Sequence, residues 1–233
     1  MKKIRLFSMM LMGVAFLSVV NVSAEESKDF NSDSWVEFIK NTNKIKPTGS
    51  KKMIVPETDG SLNLSYVSRL NFGENIFSNK NEVHSASVQE LKNVDGRSTD
   101  FSQLFAQVID NRGSLEGWKL TAKQDTQLMT VNKQQALIGA KVSFKNTSMK
   151  TISKSKYPGI VNDLEFTPGE SVIAVVASEG EGSGTWNYIF GQDISEDAGR
   201  KVSKDVTLEV PAGSVKQADE YRSTITWTLL KAP

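Results

Sequence analysis

The sequence predicts an all-β protein: an antiparallel β-sandwich or barrel-like domain with a short N-terminal helical extension. Three observations lead to this fold class. Apolar and polar residues alternate in several short runs, and segments that favour tight turns, such as "DNRGSLEG", "YPG" and "EGEGSG", separate these runs. A helix-capping pattern stands before the first run. Together they indicate a helix first and then many short strands.

The first 24 residues have the layout of a secretory signal peptide. It consists of three cations (Lys2, Lys3 and Arg5), an apolar run over residues 6–20 and a small-residue cleavage site at residues 22–24. The apolar run is shorter than the roughly 20 residues that a membrane-spanning helix needs. We therefore expect cleavage after Ala24 and a secreted chain with no membrane span after cleavage.

The extension before the β region is predicted to contain one helix, in "SWVEFIKN". Ser34 and Glu37 have the spacing of a capping box, in which each side chain accepts a hydrogen bond from the other's backbone N–H. Trp35, Phe38 and Ile39 would then share a face. Because residues 43–60 hold two prolines and two glycines among polar residues, we predict a linker there. The expected organisation is an extension over 25–59 and a domain over 60–233.

Strands are predicted from side chains that alternate with a period of two. The runs are "SLNLSYVSRLNF", "ALIGAKVSF", "TWNYIF" and "VTLEV", with the continuous apolar run "SVIAVVAS" and the weaker candidates "FAQVID" and "QLMTV". In "ALIGAKVSF" the predicted apolar face is Ala136, Ile138, Ala140, Val142 and Phe144. The glycine-rich stretch 180–184 lacks the lysine of a phosphate-binding loop, so we predict a turn between two strands.

The tripeptide Trp-x-Leu occurs twice, as Trp118 and Leu120 in "GWKLTA" and as Trp227 and Leu229 near the C-terminus. In a strand, the tryptophan and leucine of each tripeptide lie on one face, and the opposite face carries threonine or lysine. We therefore expect both indoles to point into the core. The alternative is that at least one indole lines a surface groove, where it would lie flat on a sugar ring.

The surroundings of these tripeptides resemble the WxL domain of Gram-positive bacterial surface proteins. The resembling segments are "VIDNRGSLEGWKLTAK", "YRSTITWTLLKAP", "SLNLSYVSRLNFGENIF", "GSGTWNYIF" and "VPAGSVKQADEYRSTITW", and they cover roughly residues 60–233. The resemblance implies a secreted protein that attaches noncovalently to the cell wall, with peptidoglycan as its ligand. It also implies membrane-anchored WxL-interacting proteins as partners. The segment "NSDSWVEFIKNTNKIK" departs from the Pro/Thr/Asp-rich region often found before the domain.

Two functions remain open from the sequence. The first is a binding module that holds peptidoglycan or another wall polymer, with Trp118, Leu120, Trp227 and Leu229 as motif residues that either bind or support the structure. The second is a structural subunit whose main ligand is another surface protein. Strand edges or the Trp35, Phe38 and Ile39 face would then form the joint.

A basic segment provides a further candidate site. Residues 145–156 contain four lysines and no acidic residue: Lys145, Lys150, Lys154 and Lys156. Phosphate-rich wall polymers are one ligand that such a charge would attract. The alternative is a solvated hairpin loop, since surface loops are commonly polar and lysine-rich.

Composition argues against several classes of function. The chain has no cysteine, so it has no disulfide, zinc–thiolate site or thiol nucleophile. With 28 basic and 27 acidic side chains it has no net field to attract nucleic acid. The single histidine, His84, is expected at the surface, and it cannot complete a usual zinc site alone. We predict no enzyme, no cofactor and no metal.

Acidic residues in turns are the remaining candidates for catalysis or calcium binding. They are Glu179 and Glu181 in one turn, Asp193, Glu196 and Asp197 in another, and Glu57 with Asp59. A glycosidase needs two carboxyl groups at a defined separation, and closeness in the sequence does not establish one. We expect these groups to be solvated, with ordinary pKa values.

Overall fold

The computed structural model describes residues 28–39, 61–76, 78–92 and 99–232. Regular secondary structure in these residues consists of β-strands, which confirms the all-β prediction. No helix in this part of the chain is long and apolar enough to cross a membrane. The predicted signal peptide and linker lie outside the described residues.

The strands are short and numerous, as the spacing of turn residues predicts. They are β1 Lys28–Ile39, β2 Leu62–Val67, β3 Leu70–Ile76, β4 Glu82–Ser87, β5 Gln89–Lys92, β6 Thr99–Ser102, β7 Phe105–Asp110, β8 Trp118–Gln124, β9 Met129–Thr130, β10 Lys141–Phe144, β11 Ser148–Thr151, β12 Ile160–Val161, β13 Leu164–Glu165, β14 Ser171–Ala177, β15 Gly184–Ile189, β16 Ser195–Asp197, β17 Arg200–Val210 and β18 Glu220–Lys231.

Three sheets carry most of these strands. The largest has the order β12-β14-β8-β18-β1-β3, with β9 also paired to β18. The second has the order β13-β10-β17-β16, with β4 also paired to β17, and the third has the order β11-β15-β7-β2. Strands β5 and β6 form a separate pair. The pairing of β1 with β3 is parallel, and the other pairings among the described strands are antiparallel.

One hydrophobic core lies between the three sheets, which agrees with a sandwich or barrel-like arrangement. Trp118 of the largest sheet, Phe144 of the second and Trp186 of the third belong to the same buried cluster. Alternation explains which residues enter it. In β8 and β18, every second residue is buried, as a strand with one face on the core requires.

The predicted helix is wrong for residues 34–39, which belong to strand β1. Strand β1 pairs with β18 from Lys28↔Leu229 to Glu37↔Glu220, and its C-terminal half also pairs with β3. Hydrogen bonds to two neighbouring strands therefore satisfy backbone groups of this segment, whereas a capping box would satisfy only some of them. The buried residues alternate along the strand: Phe30, Ser32, Ser34 and Val36. Lys40 and Asn41 lie outside the described residues.

The position of β1 also bears on the predicted domain boundary. This strand lies between β18 and β3, so part of the expected extension belongs to the same sheet as the C-terminal strand. Residues 40–60 lie outside the described part of the chain. A boundary near residue 60 therefore stays a prediction.

The strand predicted in "ALIGAKVSF" is too long. Only Lys141–Phe144 is a strand, β10, and Ile138 is 72% exposed. The reason is a turn before β10 that contains Gly139 with φ +81°. The turn breaks the alternation, so Leu137 enters the core in place of its neighbour Ile138. The weak candidate "QLMTV" is likewise reduced to the two residues of β9.

The other predicted strands are confirmed as β2, β3, β7, β14, β15 and the second half of β17. The glycine-rich stretch does join two strands, β14 and β15. Gly180, Gly182 and Gly184 all have positive φ there, a conformation in which a side chain is strained.

Candidate functional site

The two Trp-x-Leu tripeptides lie side by side on neighbouring strands. Strand β8 pairs with β18 in a register that places Leu120 opposite Leu229. Both tryptophans are buried, with exposed fractions of 0% for Trp118 and 1% for Trp227. The prediction that both indoles point into the core is confirmed, and neither lines a surface groove.

Trp227 lies in an aromatic cluster at the centre of the core. Its ring centroid lies 5.7 Å from that of Phe190, 6.4 Å from that of Phe144 and 6.2 Å from that of Tyr188. Its indole N–H donates to Ser32 Oγ of β1 at 3.3 Å. Burial raises the pKa of Tyr188, whose hydroxyl donates to the Asn162 carbonyl. Trp227 therefore joins the core to the N-terminal strand.

Trp118 lies at the end of β8 and supports a loop. Its indole N–H donates to the carbonyl of Gly182 at 2.9 Å. Gly182 has φ +71°, and a Cβ added there would lie 2.5 Å from Trp118 Nε1. The indole and the loop backbone are therefore in close contact, and glycine permits that contact.

Three loops meet at this end of the sheet, and we call them the tip loops: residues 111–117, 152–159 and 178–183. Backbone hydrogen bonds join them, because Gly180 N–H donates to the Leu115 carbonyl and Gly182 N–H to the Lys156 carbonyl, both within 2.9 Å. Ser155 Oγ also donates to the Ser183 carbonyl at 2.6 Å. The tip loops thus form one hydrogen-bonded unit.

A buried carboxylate strengthens this unit. Glu181 accepts hydrogen bonds from the backbone N–H groups of Gly159 and Ser178, at 2.8 and 3.0 Å. It also forms an ion pair of 2.9 Å with Lys156. The hydrogen bond from Lys156, followed by that from Ser178, holds the pKa of Glu181 below its ordinary value. The expectation of a solvated acid with an ordinary pKa is therefore wrong for Glu181.

An ion pair in which both partners are buried stabilises loop 111–117. The Arg112 guanidinium donates to both carboxylate oxygens of Asp110, at 2.9 and 2.8 Å, and to Glu116 at 3.0 Å. It also donates to the carbonyl of Gly117, the residue before Trp118. The hydrogen bond with Asp110 raises the pKa of Arg112, so this cation is fixed in its charged form.

The tip loops expose apolar groups that the sequence analysis did not single out. Tyr157 is 56% exposed, and its ring meets the buried Trp186 ring nearly at a right angle, with centroids 4.8 Å apart. Leu115 is 47% exposed and has φ +59°, which is unusual for a residue with a side chain. The sequence signal was the segment "YPG", which we interpreted only as a turn.

The four lysines of residues 145–156 do not form one loop. All four are exposed, as predicted, but Lys150 lies in β11, which pairs with β15. Lys150 Nζ donates to Gln103 Oε1 at 2.6 Å, and Lys156 pairs with Glu181. Lys154 and Lys156 belong to the tip loops, whereas Lys145 and Lys150 precede them. Docking of a polyanion on these lysines stays a prediction.

The structure does not bring His84 and the remaining described acids together as a metal site, and Glu57 and Asp59 lie outside the described residues. The His84 side chain is only 11% exposed and lies 4.0 Å from Glu82, so the expected surface location is wrong. Burial lowers the pKa of His84. Glu196 forms an ion pair with Lys201 at 3.2 Å, and Asp193 and Asp197 are exposed. The described residues contain no group of three or more acidic or histidine side chains placed to hold a metal ion.

Comparison with known proteins identifies the chain by its family. A protein-family model described as "WxL domain surface cell wall-binding" matches residues 25–233. The match includes the eighteen strands of the described residues, β1 among them. No curated protein and no solved structure gives a significant match.

Proposed function

Because the chain belongs to the WxL family of cell-wall-binding surface domains, we propose that the secreted protein binds peptidoglycan noncovalently. The observation that carries this proposal is the extent of the family match, which spans β1 to β18. The wall-binding unit is therefore the folded sheet structure as a whole. Since Trp118 and Trp227 are buried, contact with the wall falls to surface residues, and the two motifs act by supporting that surface.

The test is sedimentation of purified residues 25–233 with purified peptidoglycan from which anionic polymers have been removed. We expect the protein to pellet with the polymer, and heat-denatured protein that has been kept soluble serves as the control for nonspecific adsorption. Protein that stays in the supernatant with both stripped peptidoglycan and intact walls would contradict the proposal.

Anionic wall polymers are an additional ligand that the exposed lysines favour. If Lys145, Lys150, Lys154 and Lys156 bind such a polymer, retention on intact walls should weaken as salt screens their charge, whereas retention on stripped peptidoglycan should change less. Equal salt dependence on both materials would remove this contribution.

A second candidate function is capture of another surface protein, such as a membrane-anchored WxL-interacting protein. The observation in its favour is that the largest sheet ends in β3 and β12, since an end strand offers unpaired backbone groups to a partner strand. Trp35 of the predicted joint is half-buried, whereas the side chains of Phe38 and Ile39 lie outside the described residues.

Deletion of the N-terminal segment cannot separate the two functions, because it would remove β1 from the middle of the sheet. A charge on the end strand is a sharper change. Ile76 of β3 is half exposed, so Ile76→Lys should leave the fold intact and hinder strand addition. Loss of partner capture with unchanged peptidoglycan binding would support the second function.

A further inference from the structure

Tyr157 is an exposed aromatic ring that the fold holds in place. Its ring packs against the buried Trp186. The preceding residue, Lys156, is fixed at its carbonyl by the hydrogen bond from Gly182 N–H and at its ammonium group by the ion pair with Glu181. Two residues after Tyr157, the Gly159 N–H is bonded to the same carboxylate. A ring held in this way loses little conformational freedom when a ligand covers it.

The tip loops combine buried carboxylates with a strained backbone position. Two buried carboxylates, Asp110 and Glu181, are paired with cations there, although burial of charges brings little net stability. Leu115 keeps a backbone conformation that costs free energy for a residue with a side chain. Strain and buried charge of this kind are found where a defined shape is needed. These features indicate that the tip loops keep a defined shape.

We infer that the tip loops form the glycan-binding site, with the Tyr157 ring stacked on a sugar ring of the peptidoglycan strand. This inference rests on the proposed function and adds the surface and the residue that binds. A pyranose ring has an apolar face that suits an aromatic ring, and the polar tip of tyrosine remains in water. Leu115 extends the apolar surface. Its carbonyl and that of Lys156 accept hydrogen bonds from two residues of the same loop, Gly180 and Gly182, that are two positions apart.

Two exposed charged residues of the tip loops suit an amino-sugar polymer that bears carboxylates. Lys154 is exposed and has no ion-pair partner within the described residues, so its ammonium group is available to a ligand carboxylate. Glu179, also exposed, offers an acceptor for hydroxyl or amide N–H groups of the sugar. Peptidoglycan carries both kinds of group, because its acetylated amino sugars bear amides and its peptides end in carboxylates.

The small size of the apolar surface favours a sugar over a protein. The tip loops expose three large apolar side chains, Leu115, Ile152 and Tyr157, a surface well below the roughly 1,200 Å² or more that a stable protein interface buries. Trp118 is then a positioning residue, because it acts on the site through the carbonyl of Gly182.

The experiment compares three single variants of residues 25–233 for binding to peptidoglycan free of anionic polymers and to its soluble disaccharide-peptide fragments. Tyr157→Ala removes the ring, and we expect affinity to fall about tenfold or more, as for a central aromatic contact. Tyr157→Phe keeps the ring and should bind like the original protein. Ile138→Ala, at an exposed apolar residue outside the tip loops, is the matched control and should also bind normally.

The outcomes separate this inference from the proposed function. If the original protein binds and Tyr157→Ala binds equally well, the site is wrong and the function stands. If Tyr157→Phe loses as much affinity as Tyr157→Ala, stacking is wrong. If the original protein does not bind peptidoglycan, the function fails and the site with it. Thermal unfolding of each variant verifies the fold, since Tyr157 is largely exposed and its loss should change stability little.

Discussion

The two Trp-x-Leu tripeptides have the same local structure and different tertiary roles. Each puts its indole and its leucine on the buried face of a strand, and the two strands are neighbours. However, Trp227 contacts three aromatic rings and donates to Ser32 of β1, whereas Trp118 donates to the backbone of a surface loop. One tryptophan completes the core and the other shapes the tip loops.

This difference shows that a short motif fixes the direction of a side chain and leaves its function to its neighbours. Strand alternation aims both indoles inward. The hydrogen-bond acceptor of each indole N–H comes from a segment distant in sequence, since Ser32 and Trp227 are 195 positions apart. The expected effects of substitution therefore differ between the two sites.

The largest effect is expected for Trp227→Ala. It would leave a cavity beside the stacked rings of Phe144 and Phe190 and should lower the free energy of unfolding by about 3–5 kcal/mol. Urea unfolding measures the change, and near-UV circular dichroism reports loss of the aromatic cluster. Trp227→Phe, which keeps a ring, is the milder control. A loss below about 1 kcal/mol for the alanine variant would show that the cluster does not stabilise the core.

The next effect is expected at the loop that Trp118 supports. In Gly182→Ala the new methyl group would lie 2.5 Å from Trp118 Nε1 and 2.7 Å from Ala177 Cβ, and the backbone would be strained. We expect a loss of about 1–3 kcal/mol and faster hydrogen exchange in the tip loops.

The matched control is Gly180→Ala in the same loop. Gly180 also has positive φ, but a Cβ there meets nothing within 4 Å. Gly180→Ala should therefore lower the free energy of unfolding only by the cost of the backbone conformation. Equal losses for both variants would mean that contact with Trp118 adds nothing.

A smaller effect is expected on the Trp227 side. Ser32→Ala removes the acceptor of the indole N–H and should lower the free energy of unfolding by about 1 kcal/mol. Ser34 of the same strand is a matched control, because its buried Oγ has no hydrogen-bond partner in the part of the chain that the structure describes. Ser34→Ala should leave stability unchanged or raise it slightly. If Ser34→Ala destabilises more than Ser32→Ala, the bond to Trp227 is not the important one.

The smallest effect is expected from acid, and it should appear at the tip loops. Because the folded state lowers the pKa of Glu181, this residue contributes stability above its ordinary value of 4.5, and that stability falls as the pH drops towards the lowered pKa. The effect is small because a protonated carboxyl group keeps acceptor oxygens. Hydrogen exchange of the Gly159 and Gly182 amides below pH 4.5 measures it.

Glu181→Gln should abolish this local dependence. His84 is unchanged in this variant. Because the folded state lowers the pKa of His84, protonation of this residue destabilises the fold as the pH falls below its ordinary 6.5. If the tip loops of Glu181→Gln still open at the same acid pH, Glu181 is not the cause.

Alternation along the chain predicted the buried faces of β8 and β18, because a strand with one face on a core must alternate. The same reasoning failed at Ile138, since a turn breaks the alternation between it and β10. It also failed at β1, where a local helix signal competed with two neighbouring strands that the sequence alone does not reveal.

The candidate site was largely hidden from sequence reasoning. Glu181 was predicted to be solvated because it stands among glycines, whereas two distant donors, Lys156 and Gly159, and Ser178 of its own loop surround its carboxylate. Tyr157 was interpreted as part of a turn, since nothing in "YPG" shows that its ring would lie on Trp186. Contacts between loops depend on three-dimensional proximity, which periodicity does not report.

The class of fold, the inward direction of both motif tryptophans and the family could be predicted from the sequence, because they depend on patterns within short stretches and on residue types. The tertiary structure alone decided that residues 34–39 form a strand, which indole meets which partner, and which side chains the tip exposes. The physical reason is that sheet pairing and loop contacts join residues far apart in the chain. Their free energy outweighs local preference wherever the two disagree.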